Sequence, residues 1–138
     1  MIIKTQEENS INERRNQQVM LPFSVGMKIP EEDPVRQASA QLEELDYTQL
    51  YRAYSPNGRK SAVEPRILFE VLVYGYMNKL YSSRDIEEAC RKRIDFMWLL
   101  DGEPAPDHST ISRFRSGRAR EAIEGLFYQY VRRLEEQG

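Results

Sequence analysis

The amino-acid sequence predicts an all-α fold, a compact helical domain behind an extended N-terminal arm. Three observations lead there. The 138 residues are 40% hydrophobic and 30% charged, with Leu, Glu, Arg and Ala abundant. No stretch alternates apolar and polar residues for long enough to make a sheet strand, and from residue 34 onward apolar residues recur at helical spacing. A chain of this length supports one modest core, so the arm is taken as residues 1–33 and the helical domain as residues 34–138.

The arm is polar and irregular apart from an apolar island, Val19-Met20-Leu21-Pro22-Phe23, which is expected to dock on the domain. Asp33-Pro34 starts the first helix, Asp as N-cap and Pro at the first helical position. Val35, Ala38, Leu42 and Leu45 carry its apolar stripe to about Leu45. Tyr47, Leu50 and Tyr51 suggest one further turn of helix, closed by Ser55-Pro56-Asn57-Gly58, a tight-turn sequence. From Pro65 to about Tyr81 the sequence RILFEVLVYGYMNKLY leaves only a narrow polar edge, the pattern of a helix surrounded by protein. Ser83 with Glu87 has near-capping-box character and opens a helix to about Arg93, with Ile86, Ala89 and Cys90 inward. Ile94 to Leu100 reads as a short helix whose Phe96, Trp98 and Leu99 close the core. After the Pro/Gly turn Asp101 to Pro106, Asp107 caps another short helix that Gly117 ends. Ala119 to Glu136 is then amphipathic, with Ala119, Ile123, Leu126, Phe127, Tyr130 and Leu134 on one face.

Composition removes several function classes. A single cysteine, Cys90, excludes an internal disulfide, gives no metal-ligand spacing and fits a reducing cytoplasm. The N-terminus lacks the uninterrupted apolar run of a signal peptide, and the longest apolar run, Val71 to Met77, is too short to span a bilayer. A cytoplasmic protein with no membrane partner is the expectation. Net charge is −2, yet its distribution is uneven: residues 1–58 carry −3, residues 59–93 carry +3, residues 94–107 carry −4 and residues 108–138 carry +2.

The most concentrated positive stretch is Pro106 to Arg118, PDHSTISRFRSGR, which with Arg120 places four arginines between Asp107 and the next acid, Glu121. On a helical wheel Ile111 and Phe114 point inward, and Ser109, Ser112, Arg113 and Ser116 point outward. Arg115 lies on a flank, and Arg118 turns back toward the inside unless Gly117 has ended the helix. Small hydroxyl residues let a duplex approach closely and donate to phosphates, while arginine forks to phosphate or guanine. That is the chemistry of the second helix of a helix-turn-helix, with the helix from Ser83 to Arg93 as its buttress. The Ile94 to Leu100 segment between them is longer than the usual short turn. A solvated arginine-rich helix with no ligand is the alternative on residue chemistry alone.

The chain resembles the N-terminal, InsH-type domain of bacterial insertion-sequence transposases of the DDE class. The resemblance rests on Ile29-Pro30 with Pro34-Val35-Arg36, Tyr54 with Gly58-Arg59, Pro65-Arg66-Ile67-Leu68, Tyr74-Gly75-Tyr76, Ser82-Ser83-Arg84 and Met97-Trp98-Leu99. Above all it rests on Pro106 to Arg115. It spans about Gln17 to Gly138, and the order of the blocks is more specific than any single block. The resemblance implies binding of double-stranded DNA at the terminal inverted repeats of a mobile element, in service of a separate ribonuclease-H-like domain whose three carboxylates hold two metals. Those carboxylates lie downstream of the stretch matching VRRLEEQG, so no catalytic residue, cofactor or metal ligand is expected in residues 1–138.

The candidate DNA-binding set is Ser109, Thr110, Ser112, Arg113, Arg115, Ser116 and Arg118, with Arg59, Lys60 and Arg84. Arg59 and Lys60 follow the Asn57-Gly58 turn, where phosphate contact and plain solvation are equally supported. His108, the sole histidine, cannot build a metal site alone and reads as a helix-start or surface residue, with Asp107 as N-cap. Asp85, Asp95 and Asp101 each fit a first-turn, surface or loop acid better than a metal cluster. Trp98, Phe96 and the tyrosines of the central helix read as core before base-stacking platforms. A second functional class is self-association as a homodimer through the C-terminal helix or the arm, with DNA contact secondary.

Overall fold

The computed structural model describes residues 29–54 and 63–137. Among them the chain is helical throughout, with no strand. Helix α1 spans Pro34–Glu43, α2 Thr48–Arg52, α3 Pro65–Met77, α4 Ser83–Lys92, α5 Ile94–Leu100, α6 His108–Ser116 and α7 Arg120–Gln137. The apolar island at residues 19–23, the turn at residues 55–58, and Arg59 and Lys60 lie outside the described residues.

Side-chain caps set the starts of α1, α3, α4 and α6. Asp33 accepts from the Val35 amide at 2.9 Å and is followed by Pro34, so α1 begins where a side-chain cap and a preset φ coincide. Glu64 caps α3 through the Ile67 amide at 3.1 Å. Ser82, not Ser83, caps α4, accepting from the Asp85 amide at 3.0 Å; the near-capping-box reading placed the start one residue late. Helix α3 stops at Met77, short of Tyr81, because Lys79 takes φ 64 and turns the chain back so that the Leu80 amide reaches the Gly75 carbonyl at 2.8 Å. Helix α5 ends on Asp101 at φ 51, followed by Gly102 at φ 87, two successive left-handed residues that only a short polar side chain and a glycine adopt readily.

Packing is organised around α3. Nine consecutive residues, Ile67 to Gly75, are buried, and α1, α2, α4, α5 and α6 all pack on this helix. Helix α7 reaches it through aromatic rings: Phe69 meets Phe127 edge-on at 5.2 Å, and Phe127 stacks on Tyr76 at 5.7 Å. Gly75 lets α4 come close, since a Cβ there would stand 3.1 Å from Ile86 Cγ1. At the C-terminal end of α3, Asp95 accepts from Tyr74 at 2.8 Å and from Arg93 at 2.8 Å, while Arg93 also reaches Asn78 at 3.1 Å. That network joins α3 to the α4–α5 corner and accounts for Asp95 structurally. Phe96 and Leu99 are in the core, as read from sequence. Trp98 is only half-buried, covered by the Arg36 guanidinium at 5.0 Å, and Arg36 in turn donates to the Ile29 and Pro30 carbonyls.

Glu70 is the exception in this core. It sits on α3 at 2% exposure, receives one hydrogen bond from Ser39 at 3.2 Å, and faces Glu43 of α1. Burial first, and then the Glu43 carboxylate, push its carboxyl up to about 9. An unfolded glutamate titrates near 4.5, so between these values the native state holds a proton that the unfolded state has lost. Stability therefore falls as pH rises through that window. The isosteric variant Glu70→Gln is expected to flatten this slope and to raise the urea midpoint at pH ~8, the two proteins converging near pH ~5. A wild-type midpoint that does not fall between those two pH values, relative to the variant, would refute the buried protonated carboxyl.

Candidate nucleic-acid interface

Helix α6 is fixed at both ends and along one side. Asp107 caps it, accepting from the Thr110 amide at 2.8 Å, and that hydrogen bond holds the Asp107 carboxyl below its ordinary range. His108, the first helical residue, places Nδ1 3.2 Å from Glu87 Oε1 on α4, whose other oxygen pairs with Arg91 at 2.9 Å. Ile111 and Phe114 are buried, the inward pair read from the wheel. At the far end Arg115 donates to the Tyr81 carbonyl at 2.6 Å and the Tyr76 hydroxyl at 3.1 Å. Tyr81 itself lies against Tyr76 at 5.9 Å. A line of rings thus runs from Phe69 in the core through Phe127 and Tyr76 to Tyr81 at the surface, and Arg115 clamps α6 to its outer end.

What remains outward is a polar edge. Ser112, Arg113 and Ser116 are exposed, and Ser109 and Thr110 are half-buried nearer the capped end. The Ser116 hydroxyl donates to the Ser112 carbonyl at 2.9 Å. Arg84 is exposed in the first turn of α4, the helix that packs most closely with α5 and α6. Arg118 lies beyond the end of α6 with its guanidinium 4.8 Å above the Tyr54 ring, which ties the α6–α7 corner to the segment after α2. Of the candidates, then, the structure gathers Ser109, Thr110, Ser112, Arg113 and Ser116 on one helix. It puts Arg115 and Arg118 into contacts with the protein itself.

Two neighbours of α6 were not among the candidate residues. Arg120 opens α7 beside Ser116, Gly117 and Arg118 at a surface cleft of about 420 Å3 whose other wall is Glu121 and Glu124. It pairs with Glu124 at 3.3 Å. The signal was its place in the first turn of a long helix, where free backbone amides face outward. Glu87 was read as a cap partner, and its role as the seat of His108 depends on α6 packing across α4, a contact no local pattern carries.

Gly117 ends α6, but not through a left-handed turn. Its φ is −92 and ψ −150, open to any residue. The need for glycine is steric, since a Cβ here would lie 2.5 Å from the Arg113 carbonyl oxygen. The Arg113 carbonyl is therefore closely approached by the turn that ends α6, while its side chain stays exposed.

Among the described residues no group of three or more His, Cys, Asp or Glu is arranged to hold a metal ion, and no helix is long and apolar enough to cross a membrane. Residues 23–117 match a protein-family model described as "Transposase domain (DUF772)", well over half of the chain, and the match ends at the glycine that ends α6. No curated protein and no solved structure matches significantly.

Two glycines separate steric need from mere permissiveness. Gly117→Ala is expected to lower stability by about 1 to 3 kcal/mol, the usual cost of forcing atoms into a filled space. Gly125→Ala, on α7 where an added Cβ meets nothing within 4 Å, is expected to raise stability by about 0.5 to 1 kcal/mol. Denaturant melts of both variants check the pair; an unaffected Gly117→Ala protein contradicts the close approach to Arg113.

Proposed function

The chain belongs to the transposase-domain family, and from that premise we propose that it is the DNA-binding part of a transposase of the InsH type, DDE class. It recognises the terminal inverted repeats of a mobile element and positions them for a separate catalytic domain that performs cleavage and joining. Helices α4 and α6 form the helix-turn-helix-like unit, with α5 as an enlarged turn. The observation that carries this reading is the division of labour on α6: every inward or flanking anchor is engaged with protein, while Ser112, Arg113 and Ser116 stand exposed in a stretch free of acids from His108 to Arg120.

In this arrangement Arg113 reads a base edge or clamps a phosphate, and the serines and Thr110 hold the backbone. Arg84 and Arg120 approach neighbouring phosphates. Arg59 and Lys60 extend the contact from the segment before α3. Arg115 and Arg118 act as positioning residues, setting the angle of α6 through Tyr81, Tyr76 and Tyr54.

A second reading is supported by α7, where Tyr128 and Val131 are exposed on the outward side and Leu134 on its flank. Pairing two DNA ends requires two protomers, and this helix would supply a homodimer contact.

Titration of the chain against a labelled terminal-repeat duplex and an unrelated duplex is expected to give tighter binding to the repeat, with log affinity falling by nearly one unit per neutralised phosphate for each unit of log salt. Equal affinity for both duplexes removes the specificity claim. Arg113→Ala is expected to cost about 1 to 3 kcal/mol of binding with unchanged thermal stability. Arg115→Ala should lower stability as well as binding, since it releases a buried-edge contact. Light scattering of Tyr128→Glu beside the wild type reads the homodimer: a wild-type monomer at high concentration rules it out.

A further inference from the structure

Helix α4 carries its charges in two rows. Arg84, Glu87 and Arg91 follow one another at i, i+3 and i+7, a spacing that keeps them on one side of a helix, and Asp85, Glu88 and Lys92 repeat that spacing one residue on. Two contacts decide which row adjoins α6. Glu87 Oε1 lies 3.2 Å from Nδ1 of His108, at the start of α6, and the carbonyl of Tyr81, just ahead of α4, accepts from Arg115 near the end of α6. Helix α6 therefore runs back along α4 on the side of the Arg84–Glu87–Arg91 row. The other row is turned about 100 degrees further round, away from α6.

The rows differ in what they leave exposed. In the first, the acid is enclosed by its partners: the Glu87 side chain is 16% exposed and held between His108 and Arg91, whereas Arg91, 2.9 Å from Glu87 Oε2, is 60% exposed. Arg84 is exposed as well. In the second, Asp85 and Glu88 both face solvent, and Lys92 is offset by Glu88 at 2.9 Å. The edge that α4 shares with α6 is thus positive, and the exposed acids of α4 stand on the other side.

Resting on the reading of α6 as a DNA-binding helix, we propose that this row of α4 is a track for the sugar–phosphate backbone of one strand, with Arg84 and Arg91 each gripping a phosphate while α6 presents Arg113 to the groove beside it. The two arginines are about 10 Å apart along the helix. Phosphates follow one another along a strand at about 3.4 Å of duplex axis, and each guanidinium offers a phosphate two parallel donors, so one strand engages both. Arg91 leaves Glu87 for the phosphate. Glu87 keeps His108, so the seat of α6 on α4 survives the exchange.

Fluorescence anisotropy of the full chain with a labelled duplex of unrelated sequence, over a series of salt concentrations, tests this, because phosphate contacts carry no sequence information. Arg84→Ala and Arg91→Ala are each expected to make the slope of log affinity against log salt shallower by about one unit and to weaken binding by about threefold or more. Arg91→Lys, which keeps the charge, should retain the wild-type slope. Lys92→Ala is the matched control: it removes the same charge from the adjacent position, from a side chain likewise paired with the acid four residues before it, but on the row turned away from α6. It should bind as the wild type does. An unchanged slope in Arg91→Ala, an equal loss in Lys92→Ala, or a slope lost in Arg91→Lys as well overturns the track and leaves the role of Arg113 standing. No saturable binding by the wild-type chain at low salt overturns both.

Discussion

Everything in this domain follows from a central helix with no solvent face. Between Ile67 and Gly75 α3 offers the solvent nothing, so each remaining helix is held by what it can lay against that surface. Apolar burial at about 25 cal/mol per Å2 drives the assembly, but the shape is set by particular fits. Gly75 lets Ile86 of α4 in, Phe69 gives Phe127 of α7 an edge, and Tyr74 meets Phe96 of α5 at 5.0 Å. A helix exposed on one side could tolerate a neighbour displaced by a turn. One surrounded on all sides cannot, because displacement on one side opens a void on another.

That rigidity is what gives α6 a defined direction. A nine-residue helix is too short to be stable alone, and its own apolar contribution is only Ile111 and Phe114. The shortfall is met at the ends. Asp107 caps the start, His108 holds it against Glu87 of α4, and Arg115 holds the finish against Tyr76 and Tyr81. Arginine suits that last position because one planar group donates to a carbonyl and a phenol at once. The outward residues then need no contact of their own with protein, which is the condition for a surface that binds something else.

Local chemistry made much of this legible in the sequence. Asp33-Pro34, Asp107 and Gly117 marked helix ends correctly, and the 3.6-residue spacing separated Ile111 and Phe114 from Ser112 and Arg113. What stayed hidden depends on pairs distant in the chain. Arg115 looked like a flank residue available to DNA, and only the position of Tyr81, 34 residues earlier, shows it engaged. Trp98 looked like core, and Arg36 turns out to be its cover. The narrow polar edge of the apolar central helix includes Glu70, which the sequence pattern did not single out. The pattern was right about polarity, yet the arrival of α1 over that edge converted a solvated carboxylate into a buried one.

Glu70 also bears on how the two halves of the domain relate. Replacing a buried ionisable group with an apolar or neutral one often stabilises a protein, so a carboxyl kept at 2% exposure against another carboxylate works against the fold around it. Capping and packing on the α4–α6 side show no comparable conflict: its buried residues are apolar, and its polar anchors are paired. Among the described residues this conflict lies on the α1–α3–α5 side, where Arg66 offsets it in part by pairing with Glu43. Side chains that destabilise a core are found where something other than stability selects them. The side of the domain turned to Glu70 thus carries a cost to stability that rises with pH, while the side bearing Arg113 is built as a rigid mount.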